Sequence, residues 1–340
     1  MKRCPAGDAI CPGSADMATA ERARRWQCPY DSPLGRNQIS DGKKKMLCQN
    51  WRKCVRPREK AHTMCETNGN IPGGGVYLCQ ISETVSCGAC CGLYNVADTS
   101  REALEAMLIR RTETFETVPR NLDAILAFKQ ETESLEDQER PFPEFHHCPY
   151  IGLIGESRSR VGCLLHPLGK GNKGVDFRGL SFYGGMACRI YFCPSYRKLP
   201  GVYKSILRDI ADDWYLHGLV ITEFRLLNAF FQEMETRLGT SLTKEAITGN
   251  PEASDRVRDF LQLKIDWPFR SPAHAGAVDY FFEDQLYPKP PINYDEIGGV
   301  PSQYDTILRE MRSAFDSANA LNKAENLLDQ LFDHLIQSLR

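Results

Sequence analysis

Cysteine is the residue type whose placement in this chain points most clearly to chemistry. The sequence has 340 residues and 14 cysteines, and every cysteine lies at or before position 193. A protein that used cysteine only as a small apolar filler would spread it more evenly. In a reducing compartment, clustered cysteines more often ligate metal or perform thiol chemistry than form disulfides. The distribution therefore predicts a thiolate-ligated centre in the cysteine-bearing part of the chain.

The strongest local signal is the segment Cys87–Gly92, with the sequence CGACCG. Two cysteines separated by two residues can turn their sulfurs onto one metal, and the flanking glycines let the backbone curl and aim amide N–H groups at the thiolates. Cys90 and Cys91 are adjacent, and adjacent side chains usually point apart. The pair therefore serves either one small site with an irregular backbone or two neighbouring sites.

Further cysteines follow in short elements that contain proline or glycine. Cys148 precedes a proline, Cys163 follows a glycine, and Cys188 and Cys193 lie close together, with a proline after the second. Such neighbours are typical of tight metal-binding loops. Beside them, His166 and Arg189 are candidates to contact a thiolate, with a surface ion pair as the alternative for Arg189. For the pair His146-His147, an exposed polar position is the favoured interpretation.

Taken in order, these elements resemble the CxxCxxCC zinc- or iron-chelating proteins, also called YkgJ-type cysteine-cluster proteins. The resemblance covers roughly residues 79–198, and it assigns Cys79 as the leading cysteine although seven residues separate it from Cys87. It implies a metal centre and pairs Cys163 with His166 in the third element. The candidate metal ligands are Cys79, Cys87, Cys90, Cys91, Cys148, Cys163, Cys188 and Cys193.

Eight thiolates could serve two four-cysteine sites or one larger cluster. Four-cysteine ligation suits either structural zinc or an iron–sulfur cluster, and spacing does not separate the two. The adjacent pair and the closeness of Cys188 to Cys193 favour an iron–sulfur cluster, with zinc as the alternative. The remaining cysteines form either a separate zinc site or free thiols: Cys4, Cys11, Cys28, Cys48, Cys54 and Cys65.

The elements that must position these cysteines predict an α+β protein with three segments. Residues 1–75 form a basic, cysteine-bearing segment, residues 76–198 an irregular cysteine-rich metal-cluster core with inserted helices, and residues 199–340 a helical region. Apolar residues at helical spacing and capping residues predict the helices. Predicted helices are Ser100–Phe115, Arg120–Glu139, a helix from Pro200, Thr222–Leu238, Asp255–Ile265, Pro301–Phe315 and a last helix from Leu321 to Leu335. Predicted strands or extended loops are Val76–Ile81, Val161–Leu165 and Arg189–Phe192.

Charge and motif content narrow the function classes. Residues 1–70 carry 14 Lys and Arg against 7 Asp and Glu, yet a solvated basic face explains this better than nucleic-acid binding. Gly169–Gly174 matches GxGxxG without a helix after it, so a dinucleotide fold is not expected. The chain lacks an apolar run long enough for a membrane span and a secretory leader, which predicts a cytoplasmic protein.

Three functions remain open at this point, and the residues leave it undecided whether the protein is an enzyme. The favoured one is an iron–sulfur protein in redox or electron-transfer chemistry. The second is a structural zinc scaffold that presents the C-terminal helices to a protein partner. The third is an enzyme resembling the lysine N-methylases, which carry a similar cysteine cluster.

Overall fold

The computed structural model describes residues 75–137, 139–272 and 289–340. By packing, the chain divides into Met1–Thr67 and Asn68–Arg340, and all described residues belong to the second unit. The basic segment and its six cysteines lie outside the described residues. The helices and strands in chain order are α1 (Arg101–Thr117), α2 (Leu122–Leu135), β1 (Ile151–Ile154), β2 (Arg160–Cys163), α3 (Gly184–Ile190), α4 (Pro194–Lys198), α5 (Gly201–Ile210), α6 (Trp214–Val220), α7 (Phe224–Leu238), α8 (Lys244–Thr248), α9 (Pro251–Asp266), α10 (Asp305–Glu310) and α11 (Ala318–Ser338).

The described part of the chain is mostly helical and carries one small antiparallel sheet. β1 and β2 form a two-stranded hairpin whose register places Ile151 opposite Cys163. β2 corresponds to the predicted strand Val161–Leu165, whereas β1 was not predicted. Of the predicted α+β class, the structure confirms the coarse mixture of helices with a little sheet.

The other two segments predicted to be strands or extended loops do not join a sheet among the described residues. Val76–Ile81 is extended but makes only an isolated bridge, between Gln80 and Ser86. Arg189–Phe192 contains the end of α3, which stops at Ile190. An apolar stretch becomes a strand only where a partner strand satisfies its backbone groups, and neither segment has one among the described residues.

The helix predictions hold best where a capping residue marks the start. Ser100 caps α1 by accepting a hydrogen bond from the amide of Ala103. α2 begins after Asn121, which caps it in the same way, and not at Arg120 as predicted. The predicted helix Pro301–Phe315 is confined to Asp305–Glu310.

One core joins the predicted cysteine-rich segment to the predicted helical region. Leu78 and Tyr94 pack in the same buried cluster as Ile206 and Phe230. His217 Nε2 donates to the carbonyl of Leu78 over 3.0 Å. Residues on both sides of the boundary expected between 198 and 199 therefore share one core, and the boundary itself stays a prediction.

The leucines of α11 point into this core. Leu321, Leu328 and Leu335 are each at most 2% exposed, so their apolar stripe packs within the chain. In the described ranges, no helix combines the length and apolar character needed to cross a membrane.

Candidate metal centre

A second, smaller core positions three of the candidate ligands. It is built from α1, α2 and the hairpin, with the ring of Phe128 stacked 5.9 Å from that of Tyr150. Cys148 is buried in this core, and Cys91 and Cys163 pack against it. Cysteines from distant parts of the sequence therefore meet around one apolar cluster.

The CGACCG segment forms a tight turn. Ala89–Cys91 is one turn of 3-10 helix, ended by Gly92 in the left-handed conformation with φ of 76°. The amide of Ala89 lies 3.4 Å from the sulfur of Cys87 and donates to it. A side chain on Gly92 would place its Cβ 2.3 Å from the carbonyl oxygen of His146. The glycine is therefore required both by its backbone conformation and by this close approach.

The turn is joined to the Cys148 loop and to the residues around Cys79. The amide of Cys148 donates to the carbonyl of Cys91 over 2.8 Å, and the amide of Cys87 donates to the carbonyl of Cys79 over 2.8 Å. Leu164, directly after Cys163, donates to the carbonyl of Tyr150 over 2.9 Å. Backbone hydrogen bonds thus fix the spacing between several candidate ligands.

Cys193 approaches Cys79 through aromatic stacking. Phe192 packs edge-on against Tyr77 with ring centroids 6.0 Å apart and stacks on Tyr196 at 4.2 Å. Tyr77 also hydrogen-bonds the Cys79 thiol. Cys188 lies on α3, with its sulfur 3.2 Å from the hydroxyl oxygen of Ser181.

The thiols influence one another's ionisation. Burial raises the pKa of Cys79 and Cys163 to about 12 and that of Cys148 to about 11. Neighbouring thiolates act in the same direction because like charges repel: Cys90 and Cys193 on Cys79, and Cys148 and Cys188 on Cys163. These buried thiols therefore stay protonated at neutral pH unless a cation displaces the proton.

Cys90 and Cys91 form a hydrogen-bonded pair with opposite shifts. The bond from the Cys91 thiol lowers the pKa of Cys90, and the same bond raises the pKa of Cys91, as does burial. Cys90 is exposed to solvent, whereas Cys91 is half-buried. Within the pair, Cys90 is therefore the first thiol to ionise.

The donor chemistry suits a thiolate-bound metal, since all eight candidate ligands are free thiols. Within the described ranges, however, no three Cys, His, Asp or Glu side chains are arranged so that they could hold a metal ion. The cysteines are electrostatic neighbours without being gathered at ligand distance, and their ligation of a metal stays a prediction.

A buried ion network behind the turn was missed by the sequence analysis. Arg111 is buried and donates to the Glu136 carboxylate, through Nε at 2.8 Å, and to the carbonyl of Cys148 at 3.0 Å. His147 donates from Nδ1 to the carbonyl of Gly92 at 2.7 Å, so its Nε2 accepts from Arg111. This network ties α1 to both cysteine loops. The sequence signal that could have predicted this network is an arginine at a core-facing position of α1.

The histidines beside Cys148 are not an exposed pair, contrary to the sequence interpretation. His147 is 8% exposed, and burial together with the charge of Arg111 lowers its pKa to about 3. His146 stacks on Phe182 with ring centroids 4.2 Å apart. Both imidazole rings are therefore packed against other parts of the chain.

His166 and Arg189, the side chains expected to contact a thiolate, bind other groups. His166 accepts at Nδ1 from the amide of Leu168 over 3.1 Å. Arg189 binds Asp176, with Nε 2.8 Å from Oδ2, as its surface-ion-pair alternative predicts. Arg178, which also binds Asp176, has its charge near Cys163 and Cys188. Arg178 is therefore the guanidinium placed to offset thiolate charge.

Comparison with known proteins found no match: no protein-family model, no curated protein and no solved structure resembles the chain closely enough to be reported. The resemblance to the CxxCxxCC proteins therefore rests on the ordered cysteine elements alone.

Proposed function

We propose that this protein binds an iron–sulfur cluster through cysteine thiolates and takes part in redox or electron-transfer chemistry. The observation that supports this is the direct backbone contact between cysteine segments far apart in the sequence, since the amide of Cys148 donates to the carbonyl of Cys91 over 2.8 Å. Cysteine thiolates are the ligands that iron–sulfur clusters use. The proposed ligands are Cys79, Cys87, Cys90, Cys91, Cys148, Cys163, Cys188 and Cys193.

The protein supplies the surroundings of such a centre through residues already described. The amide of Ala89 donates to Cys87, and the charge of Arg178 lies near Cys163 and Cys188. Both stabilise negative charge on sulfur, and hydrogen bonds and nearby charges of this kind set the potential of a cluster. Once bound, an iron–sulfur cluster supplies one-electron chemistry.

The alternative is structural zinc, which the same thiols suit. The observation that favours it is the core shared by residues near the thiols, such as Leu78, and the helices after Pro200. A metal at the thiols would then stabilise the helical region and the surface it offers to a partner protein. Both proposals use the same ligands, so metal identity separates them.

Metal content after anaerobic purification of the full chain is the deciding experiment. The iron–sulfur proposal expects a brown protein with charge-transfer absorption, iron and acid-labile sulfide. A colourless protein that contains zinc and no sulfide would replace this proposal by the structural one. A protein with neither metal would refute both.

Substitution of single cysteines tests which thiols bind. Cys90→Ser and Cys163→Ser should lose metal, because a hydroxyl is a poor replacement for a soft thiolate. Cys4→Ser and Cys11→Ser make the same chemical change outside the proposed set and should retain the wild-type metal content. If Cys90→Ser retains full metal and an unchanged melting curve, Cys90 is not a ligand.

A further inference from the structure

We propose that helix α3 presents a docking surface for a partner protein whose own surface combines carboxylates with an apolar patch. This surface, the α3 face, consists of Phe182, Met186, Arg189 and Ile190. The inference goes beyond the proposed function and requires no bound metal. Partner binding and metal content are therefore tested by separate experiments.

α3 exposes large apolar side chains instead of burying them. None of its seven residues is buried in the described structure. Met186 is 68% exposed and Ile190 57%, and they lie one helical turn apart, so they project from the same side of the helix. Phe182, four residues before Met186, is also 57% exposed. Single exposed apolar residues are ordinary, whereas a group of them on one surface marks an interaction site.

The opposite side of α3 packs against the chain that precedes it. A Cβ added to Gly185 would lie 3.3 Å from the amide nitrogen of Gly179. The Cys188 sulfur lies 3.2 Å from the hydroxyl oxygen of Ser181. Because successive residues of an α-helix are rotated by about 100°, Gly185 and Cys188 share one side, and the two apolar residues of α3 lie roughly opposite to them. The packing thus directs the α3 face away from the chain that holds the helix.

Aromatic contacts hold Phe182 in place before any partner binds. Its ring stacks on that of His146 with centroids 4.2 Å apart and meets the Tyr183 ring edge-on at 5.1 Å. A ring fixed in this way loses little side-chain freedom on binding. Phe182 is therefore suited to act as a rigid anchor for a complementary pocket.

The charge around the α3 face is positive, although the chain has a formal net charge of −2. Residues 170–198 contain six Lys and Arg and one acidic residue, Asp176. Arg178 and Arg189 both bind the Asp176 carboxylate, so these three side chains retain one positive charge. Lys170 binds Glu116 of α1. The other three basic residues of the segment are exposed: Lys173, Arg197 and Lys198.

Arg197 places one of these charges at the end of α3. It belongs to α4, and its amide donates to the carbonyl of Cys193 over 3.3 Å. The positive charge of Arg197 acts on the hydroxyl of Tyr191, the residue directly after Ile190. Arg197 therefore lies where it can meet a carboxylate of a partner that covers the α3 face.

An apolar centre with basic residues around it fits an acidic protein better than other occupants. Aromatic residues, methionine and arginine are the residue types enriched in protein–protein interfaces. Complementary charge speeds association and excludes like-charged surfaces, so a second copy that docks through the same positive face is disfavoured. Membrane-surface helices often have about 20–30 residues, whereas α3 has seven.

Photo-cross-linking in the protein's native cells tests the α3 face directly. The full chain would carry benzoylphenylalanine at position Met186 in one variant and at Leu135 in another. Leu135 is a matched control because it is 69% exposed but lies in a segment, 131–139, with five acidic residues and no basic one. We expect the variant at Met186 to cross-link a protein that the variant at Leu135 does not.

Calorimetry with the purified cross-linked protein decides whether the adduct is specific. Met186→Ser/Ile190→Ser should weaken binding by at least about tenfold, because a few central anchors carry most of the binding energy of an interface. Arg197→Glu leaves the apolar residues unchanged and should also weaken binding, with a difference from the wild type that shrinks as salt rises from about 0.05 M to about 0.5 M. Leu135→Ser should bind like the wild type. The substituted side chains are exposed, so all variants should keep the wild-type urea midpoint.

The inference is overturned if the variant at Met186 cross-links no protein, or only proteins that the variant at Leu135 also cross-links. It is also overturned if the purified partner binds Met186→Ser/Ile190→Ser and Arg197→Glu as tightly as the wild type. Adducts with a second copy of the chain alone would replace the acidic partner by self-association. Saturable binding to phosphatidylcholine vesicles with about 30% phosphatidylserine, without a protein adduct, would replace it by a membrane.

Discussion

The replacement of Arg111 by methionine tests whether the buried network holds the cysteine loops together. The Arg111 side chain is 1% exposed and bonds Glu136, His147 and the carbonyl of Cys148. Methionine retains an apolar side chain of comparable reach but removes every donor. The substitution therefore leaves a carboxylate, a ring nitrogen and a carbonyl without their shared partner.

Breaking a buried ion pair by removing one partner costs about 3–5 kcal/mol. Glu136 keeps a second partner, since Arg110 Nη2 lies 2.8 Å from Oε1. The expected loss in the free energy of unfolding is therefore at the lower end, about 3 kcal/mol. The loss should be accompanied by weaker metal retention, because the Cys148 loop is one of the groups released.

Arg110→Met is the matched control. It removes a guanidinium from the same carboxylate, but the Arg110 side chain is 50% exposed, and exposed pairs contribute about 0–1 kcal/mol. Urea unfolding of both variants, followed by circular dichroism, measures the difference. If Arg111→Met and Arg110→Met are equally stable within about 1 kcal/mol, the buried network does not stabilise the fold more than the exposed pair does.

The pH dependence supplies a second check on the same pair. Burial opposes ionisation of Glu136, but the hydrogen bonds from Arg111 outweigh it and lower its pKa. A lowered folded-state pKa gives stability that is present above the unfolded value, about 4.3, and is lost as the pH falls through the folded value. The stability gap between the wild type and Arg111→Met should therefore narrow in acid, and a gap that widens would contradict this assignment.

Two further predictions concern the helical region. Lys264→Met should lower the free energy of unfolding by about 3 kcal/mol, because Lys264 is fully buried with Nζ 2.9 Å from Glu223, which keeps Lys289 as a second partner at 3.2 Å. Lys244→Met removes an exposed pair with Asp209 and should leave the urea midpoint nearly unchanged in the same assay. Burial lowers the pKa of His217 to about 4. As the pH falls below about 6.5, the unfolded chain therefore binds a proton on this histidine whereas the folded chain does not. The free energy of unfolding should fall between about pH 6.5 and pH 4. His217→Gln, which retains a donor for Leu78, should reduce that slope by up to about 1.4 kcal/mol per pH unit, and equal slopes in urea titrations at pH 7, 6 and 5 would exclude His217 as the source.

Much of the local structure could be predicted from short-range chemistry. Ser100 marks the start of α1 because its hydroxyl can accept from a free amide of the first turn. The apolar spacing of α11 predicts its buried face, and glycines around Cys90 predict a tight turn. These features depend on neighbours a few residues away, so a single sequence contains the information.

The arrangement of the candidate site depends on long-range partners that the sequence pattern does not name. β1 forms only because β2 lies opposite it, while Arg189–Phe192 lacks such a partner in the described ranges and stays outside any sheet. The burial of Arg111 behind Cys148 follows from which loops pack together. Residue types and spacing could therefore indicate thiolate chemistry, whereas tertiary packing decided which thiols are neighbours, because a contact between distant segments is fixed by the shape of the whole core.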